Sequence, residues 1–224
     1  RLRTMRQSVL VAFVFQLAAT AALSGPAAAP ASPNAGGPRA WRVSHDAWIL
    51  ALREKPSRDA RPITRYAPGT ILSNLGCQLV AGEAWCDVQE LAGGPRGYIV
   101  AAYLEPAVGP KGAVPVGPDD SPRRAAEGRF DATGKLPCAQ APGQPMGSCD
   151  FGVARAGGGY ATVQVKKSDG RTRAIFFALG RPIGADSSQA DWYGEFRASR
   201  AEDLHRIEVG KERYEIPVAV VNGG

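Results

Sequence analysis

Histidine is almost missing from this chain: His45 and His205 are the only two in 224 residues. Cysteine is nearly as scarce, with four residues and no Cys-x-x-Cys spacing, so too few soft ligands are available to build a zinc site. The acidic residues Asp186, Asp191 and Glu195 do not follow the Asp-x-Asp-x-Asp-Gly spacing of a calcium loop. Gly157-Gly158-Gly159 is not followed by Lys-Ser/Thr and reads as a hairpin turn, not a phosphate loop. No Gly-x-Ser-x-Gly elbow is present, and His205 stands in a strand pattern beside Arg206, so a serine nucleophile lacks its base. Both histidines are therefore expected to be structural, and neither a metal nor a cofactor is expected.

A dominant charge is missing too. Lys and Arg total 27 against 21 Asp and Glu, a net charge of +6, and Arg1, Arg3 and Arg6 alone supply half of that excess. Residues 39–106 and 127–224 each hold only one more basic than acidic group. Neither half offers the concentrated basic surface that nucleic acid requires.

Long apolar runs are confined to one place. Val9 to Leu23 is mostly apolar, broken by Gln16 and Thr20, preceded by Arg6 and followed by the small residues Ser24 to Ser32. The run is shorter than the ~20 residues a membrane-spanning helix needs. Its order is that of a secretory signal peptide, so residues 1–31 are expected to be an extension plus signal, cleaved between Ala27 and Ser32. Arg1 to Thr4 precede a plausible start at Met5. The mature protein is expected to be periplasmic or secreted, with no membrane span.

In such an oxidising compartment four cysteines read as two disulfides, for which three connectivities exist. Cys77 and Cys86 flank a short hairpin, and Cys138 and Cys149 flank a Pro/Gly-rich loop. Local pairing is the simplest choice, because each pair falls in a different expected domain.

Proline and glycine punctuate the rest. Residues 32–42 read as a flexible lead-in, and residues 107–126, with Pro110, Pro115, Pro118 and Pro122, as a Pro-rich linker. Between them, residues 43–106 alternate short apolar runs with turns: strands over 47–52, 63–66, 70–75, 85–89 and 96–100. Residues 127–224 repeat the pattern, with strands over 152–156, 160–166, 171–179, 195–198, 204–209 and 213–216. Asp169-Gly170 marks a tight turn between two of them. His205, Ile207 and Val209 fall on one face of their strand and Leu204, Arg206 and Glu208 on the other. The expected fold is all-β, a small N-terminal barrel followed by a second meander, sandwich or barrel.

Several segments of the first half carry a resemblance. Leu50-Ala51-Leu52-Arg53-Glu54-Lys55-Pro56-Ser57-Arg58-Asp59 resembles the opening strand and turn of a bacterial SH3 (SH3b) domain. Pro68-Gly69-Thr70-Ile71-Leu72 is similar to that family's next strand entry, and Gly76-Cys77 with Ala84-Trp85-Cys86-Asp87-Val88 to its paired-cysteine hairpin. Gly97-Tyr98-Ile99-Val100-Ala101-Ala102-Tyr103-Leu104 is similar to its closing motif. The resemblance covers residues 43–106 and implies an SH3-like barrel used for binding. Ala51 and Lys55 replace the Asn and Gly usual in the family's first motif. In the second half, Asp131 to Gly134, Pro137 to Ala139, Gly143 to Gly147 and Tyr214 to Pro217 resemble the C-terminal region of uncharacterised exported proteins that also carry SH3b domains. That resemblance implies no activity.

Two function classes follow. The first is a non-catalytic periplasmic or cell-envelope binding protein whose SH3b-like domain recognises peptidoglycan or an envelope protein, with Trp85, Tyr98 and Tyr103 lining a groove. For Trp85, core packing is the plainer explanation. The second is an inhibitor or enzyme that works through the polar loop from Asp186 to Glu195, for which an ordinary solvated connection is the plainer explanation.

Overall fold

The computed structural model describes residues 28–186 and 195–223. The chain is all-β, as its alternation implies. The first sheet comprises β1 (Ala40–Val43), β2 (Leu50–Arg53), β3 (Pro62–Tyr66), β4 (Ile71–Val80), β5 (Glu83–Glu90), β6 (Arg96–Val100) and β7 (Leu104–Pro106). Its order is β3-β2-β6-β5-β4-β1-β7, antiparallel throughout. Val43, Leu52, Leu72, Val88, Ile99 and Leu104 come from six strands yet share one buried cluster, so the sheet curls around a single core. A 3-10 turn over Ala101–Tyr103 links β6 to β7.

The second sheet comprises β8 (Ala132–Ala139), β9 (Gly147–Gly157), β10 (Tyr160–Lys166), β11 (Thr172–Ala178), β12 (Arg181–Ala185), β13 (Phe196–Ala201), β14 (Leu204–Val209) and β15 (Glu212–Pro217). Sequential neighbours pair except β12 with β13, and β15 returns to β8. The edge strands β12 and β13 lie against each other. The result is an up-and-down barrel with one unlaced seam, filled by Leu136, Val153, Val163, Ile175, Phe177 and Ile216 among others. Helix α2 (Val218–Asn222) packs Val221 onto that core. Helix α1 (Ser121–Ala126) covers the outer face, where the Ser121 and Thr162 hydroxyls lie 3.0 Å apart.

The two disulfides join Cys77 to Cys86 and Cys138 to Cys149, the local pairing. Each staples neighbouring strands, β4 to β5 and β8 to β9. Bonded pairs of this kind suit an oxidising compartment.

Segment boundaries differ from those read from composition. β1 begins inside the expected lead-in, and α1 occupies the end of the expected linker. Residues 107–120 are held at both ends of the molecule. Arg39 N donates to the Pro115 carbonyl at 2.9 Å, and Gly117 N to that of Gly37 at 3.0 Å. On the other side, a Cβ on Gly158 would stand 2.4 Å from Pro115 Cγ, so only glycine admits this approach.

Candidate functional site

Strand register decides which face each side chain takes, because successive residues alternate. On β5, Cys86 and Val88 point into the first core, which puts Trp85 and Asp87 on the outer face. Their partners across β6 are Val100 and Tyr98, and Tyr98 in turn pairs with Arg53 of β2. The outer face of β2, β6 and β5 thus carries Arg53, Tyr98, Val100 and Trp85 together.

A groove of about 320 Å³ lies at one end of this face, lined by Trp48, Arg53, Arg58, Trp85, Tyr103 and Asp46 among others. Trp85 forms its floor: the side chain is 2% exposed but stands outside the cluster that fills the first core. Tyr103, on the 3-10 turn, is partly exposed. Tyr98 is not among the lining residues; it sits farther along the same face beside Arg53. The structure therefore brings two of the three expected aromatic residues into one groove and leaves the third as a neighbour.

Trp48, which sequence reasoning missed, dominates the rim. Its side chain is 94% exposed and that of Ile49 64%. The strand expected over 47–52 begins only at Leu50, so Trp48 and Ile49 stand in the connection before it. A signal was available: Trp-Ile-Leu puts three large apolar residues in succession, and a half-buried strand hides only alternate ones.

The two groove guanidiniums differ. Arg58 is paired with Glu83, at 2.5 Å from Nη2 to Oε1 and 3.2 Å from Nε to Oε2. That hydrogen bond, then the Glu83 charge, raise the Arg58 pKa above its ordinary value. Arg53 donates through Nη1 to the Ala60 carbonyl at 2.7 Å, and no carboxylate lies within ion-pair distance of it among the described residues.

The other sequence-derived candidates fall elsewhere. Of the polar loop from Asp186 to Glu195, residues 187–194 lie outside the described residues. His45 is exposed. His205 is 1% exposed inside the second barrel, with its ring centroid 5.4 Å from that of Phe177. Neither ring nitrogen has a hydrogen-bond partner among the described residues, and burial, then the Arg200 charge, lower its pKa. Gly157, Gly158 and Gly159 form the β9–β10 turn, all with positive φ.

The second barrel also encloses charge. Arg173 is 2% exposed, with Nε and Nη2 at 2.7 and 3.1 Å from the Glu212 carboxylate and Nη1 donating to the Asp186 carbonyl. Lys167 Nζ reaches the same carboxylate at 3.1 Å, and the Tyr214 hydroxyl donates to it at 2.8 Å. Burial works to raise the Glu212 pKa, but the hydrogen bonds from Arg173, Tyr214 and Lys167 and the Arg173 charge outweigh it and hold the carboxyl low. This cluster ties β11 to β15 in the barrel interior, and Lys167 also lines a depression of about 310 Å³ beside the second disulfide. Its signal was the register: Arg173 alternates with Ile175 and Phe177, so it points inward.

A larger depression, about 460 Å³, lies between Phe130 and Phe151 on the second barrel. Phe130 already fills the space over Gly152, 2.4 Å from a Cβ placed there, and the Lys135 and Asp150 beside it pair with each other at 2.6 Å. Those groups are satisfied within the chain, whereas Trp48 and Arg53 are not. Among the described residues no group of three or more His, Cys, Asp or Glu could hold a metal ion, and no helix is long and apolar enough to cross a membrane. No family model matches the chain, and neither a curated protein nor a solved structure matches it.

Proposed function

We propose that this is a non-catalytic binding protein of the bacterial cell envelope, exported to the periplasm or beyond, and that the groove of the first barrel holds peptidoglycan. One observation carries the reading: Trp48 stands almost wholly, and Ile49 largely, in water at the rim of a groove floored by Trp85. Large exposed aromatics cost hydration free energy and mark contact surfaces when they cluster. Trp, Tyr and Arg are the side chains that most often anchor interfaces, and Trp48, Trp85, Tyr103, Arg53 and Arg58 converge here. A flat ring with a polar edge suits a saccharide or peptide face. The SH3b-like motifs and the two disulfides support the same class and compartment.

The test is co-sedimentation of the mature chain with purified peptidoglycan sacculi. The wild type is expected in the pellet, and Trp48→Ala, which removes a ring that touches little of its own protein, is expected to weaken binding by about 1 to 2 kcal/mol with unchanged melting temperature. A wild-type chain that stays in the supernatant, or a Trp48→Ala chain that pellets equally well, would show the reading wrong. Capture of an envelope protein in place of sacculi would move the ligand to that class.

A further inference from the structure

We infer that Arg53 reads a carboxylate on the groove's ligand, so that the peptide part of peptidoglycan, not its glycan, occupies this end of the groove. The inference rests on the envelope-binding reading above and names the chemistry of the same site.

Arg53 is half-buried at the end of β2, where lost hydration leaves a guanidinium in need of partners. It has five N–H donors in a planar fork. Among the described residues one is used, on the Ala60 carbonyl at 2.7 Å. The other arginine of the groove has its charge paired with Glu83 through two hydrogen bonds. The acid that also lines the groove, Asp46, is exposed and forms no ion pair with Arg53. Tyr98 is Arg53's partner across the ladder and brings no carboxylate to it. The cation therefore faces the groove with most of its fork unfilled, beside the Trp85 floor. A carboxylate accepts two parallel N–H bonds from such a fork. A neutral sugar hydroxyl does not complement the charge. Stem peptides carry carboxylates and small apolar side chains together, which fits a cation set among Trp48, Trp85 and Tyr103.

The experiment compares native sacculi with sacculi whose carboxyls have been amidated, using the full mature chain. Wild-type affinity is expected to fall about tenfold on amidated sacculi, the loss of one charge-assisted bidentate contact. Arg53→Gln is expected to bind native sacculi about tenfold more weakly than wild type, and to lose nothing further on amidation. Arg53→Lys, which keeps the charge without the fork, is expected to fall between them. Melting curves of both variants control for the lost Ala60 contact, and Lys135→Gln on the second barrel serves as a charge-loss control expected to bind like wild type. If wild type and Trp48→Ala behave as proposed but native and amidated sacculi bind equally, the carboxylate inference alone is overturned. It is equally overturned if Arg53→Gln binds native sacculi like wild type. No wild-type binding to native sacculi overturns the envelope-binding reading and this inference with it.

Discussion

At the scale of single residues, His205 is the one side chain among the described residues with two buried polar atoms left without a partner. It is enclosed in the second barrel against Phe177 with both ring nitrogens unpartnered, so the charged form has neither water nor a carboxylate to stabilise it. Burial lowers its folded pKa below the ordinary 6.5. The unfolded chain then binds a proton that the folded barrel refuses. Stability contributed by keeping His205 neutral is fully present above pH 6.5 and is lost as pH falls toward the folded value. His205→Phe keeps a ring beside Phe177 and removes the proton site. Thermal melts between pH 7 and pH 5 are expected to show the wild type losing stability while the variant changes much less; parallel curves would show that His205 does not titrate differently in the two states. Trp48 is the opposite case, an apolar residue left in water. Alternation along β14 was legible and puts His205 inside with Ile207, whereas the exposure of Trp48 follows from β2 beginning only at Leu50.

At the scale of elements, the sequence pattern marked every strand except β1, β7, β8 and β12. β10, β14 and β15 follow it closely: Val163 and Val165, His205 and Ile207, Tyr214 and Ile216 point inward in turn. β8 escaped because Thr133, Gly134, Lys135 and Pro137 break its apolar pattern. Pro137 pairs with Ser148 of β9 but lies outside the register that joins β8 to β15, which holds only Cys138 and Ala139. β12 holds Pro182 and Gly184 and stands at the barrel seam, the place where such residues belong. β1 is short, but its Trp41 and Val43 are among the most deeply buried residues of the first core. Asp169-Gly170 does make a turn, although only Gly170 takes positive φ, so the tight two-residue form read from the pair is not adopted. In the first sheet Gly97 lets β6 lie against β2: a Cβ there would stand 2.5 Å from the Arg53 carbonyl oxygen and 3.0 Å from Leu52 Cγ. Gly97→Ala is expected to cost about 1 to 3 kcal/mol by forcing the strands apart, read as a lowered midpoint in urea denaturation. Because Arg53 and Tyr98 sit at that junction, the same variant should also weaken binding at the groove. A midpoint within error of wild type would show that the sheet gives way freely.

At the scale of the whole molecule, the question is whether the two barrels fold as one. A Pro-rich segment between two domains is expected to transmit little, and the sequence offered no sign that this one does. The fold places Arg39 where it can. Its backbone pairs with Pro115, and its guanidinium donates to the carbonyls of Gly117 at 2.8 Å and Pro118 at 2.9 Å, then across to Ala156 of β9 at 3.0 Å. The same group lies 4.9 Å over the Tyr160 ring of β10. One side chain, rooted beside β1, thus touches the connecting segment and the second barrel at once. Glycine makes the packing possible on both sides, since a Cβ on Gly109 would approach the Gly158 carbonyl oxygen to 2.6 Å and one on Gly180 would approach Pro110 Cγ to 2.7 Å. Charge-assisted bonds to carbonyls contribute roughly 1.5 to 3 kcal/mol apiece, so losing this set should matter more than any surface ion pair. Wild-type protein is accordingly expected to melt in one calorimetric transition, and Cys77→Ser, although confined to the first sheet, to lower the melting of the second barrel with it. Arg39→Ala should cost about 2 kcal/mol or more and separate the trace into two transitions. Two independent transitions already in the wild type would mean that these contacts join the barrels without coupling their stability.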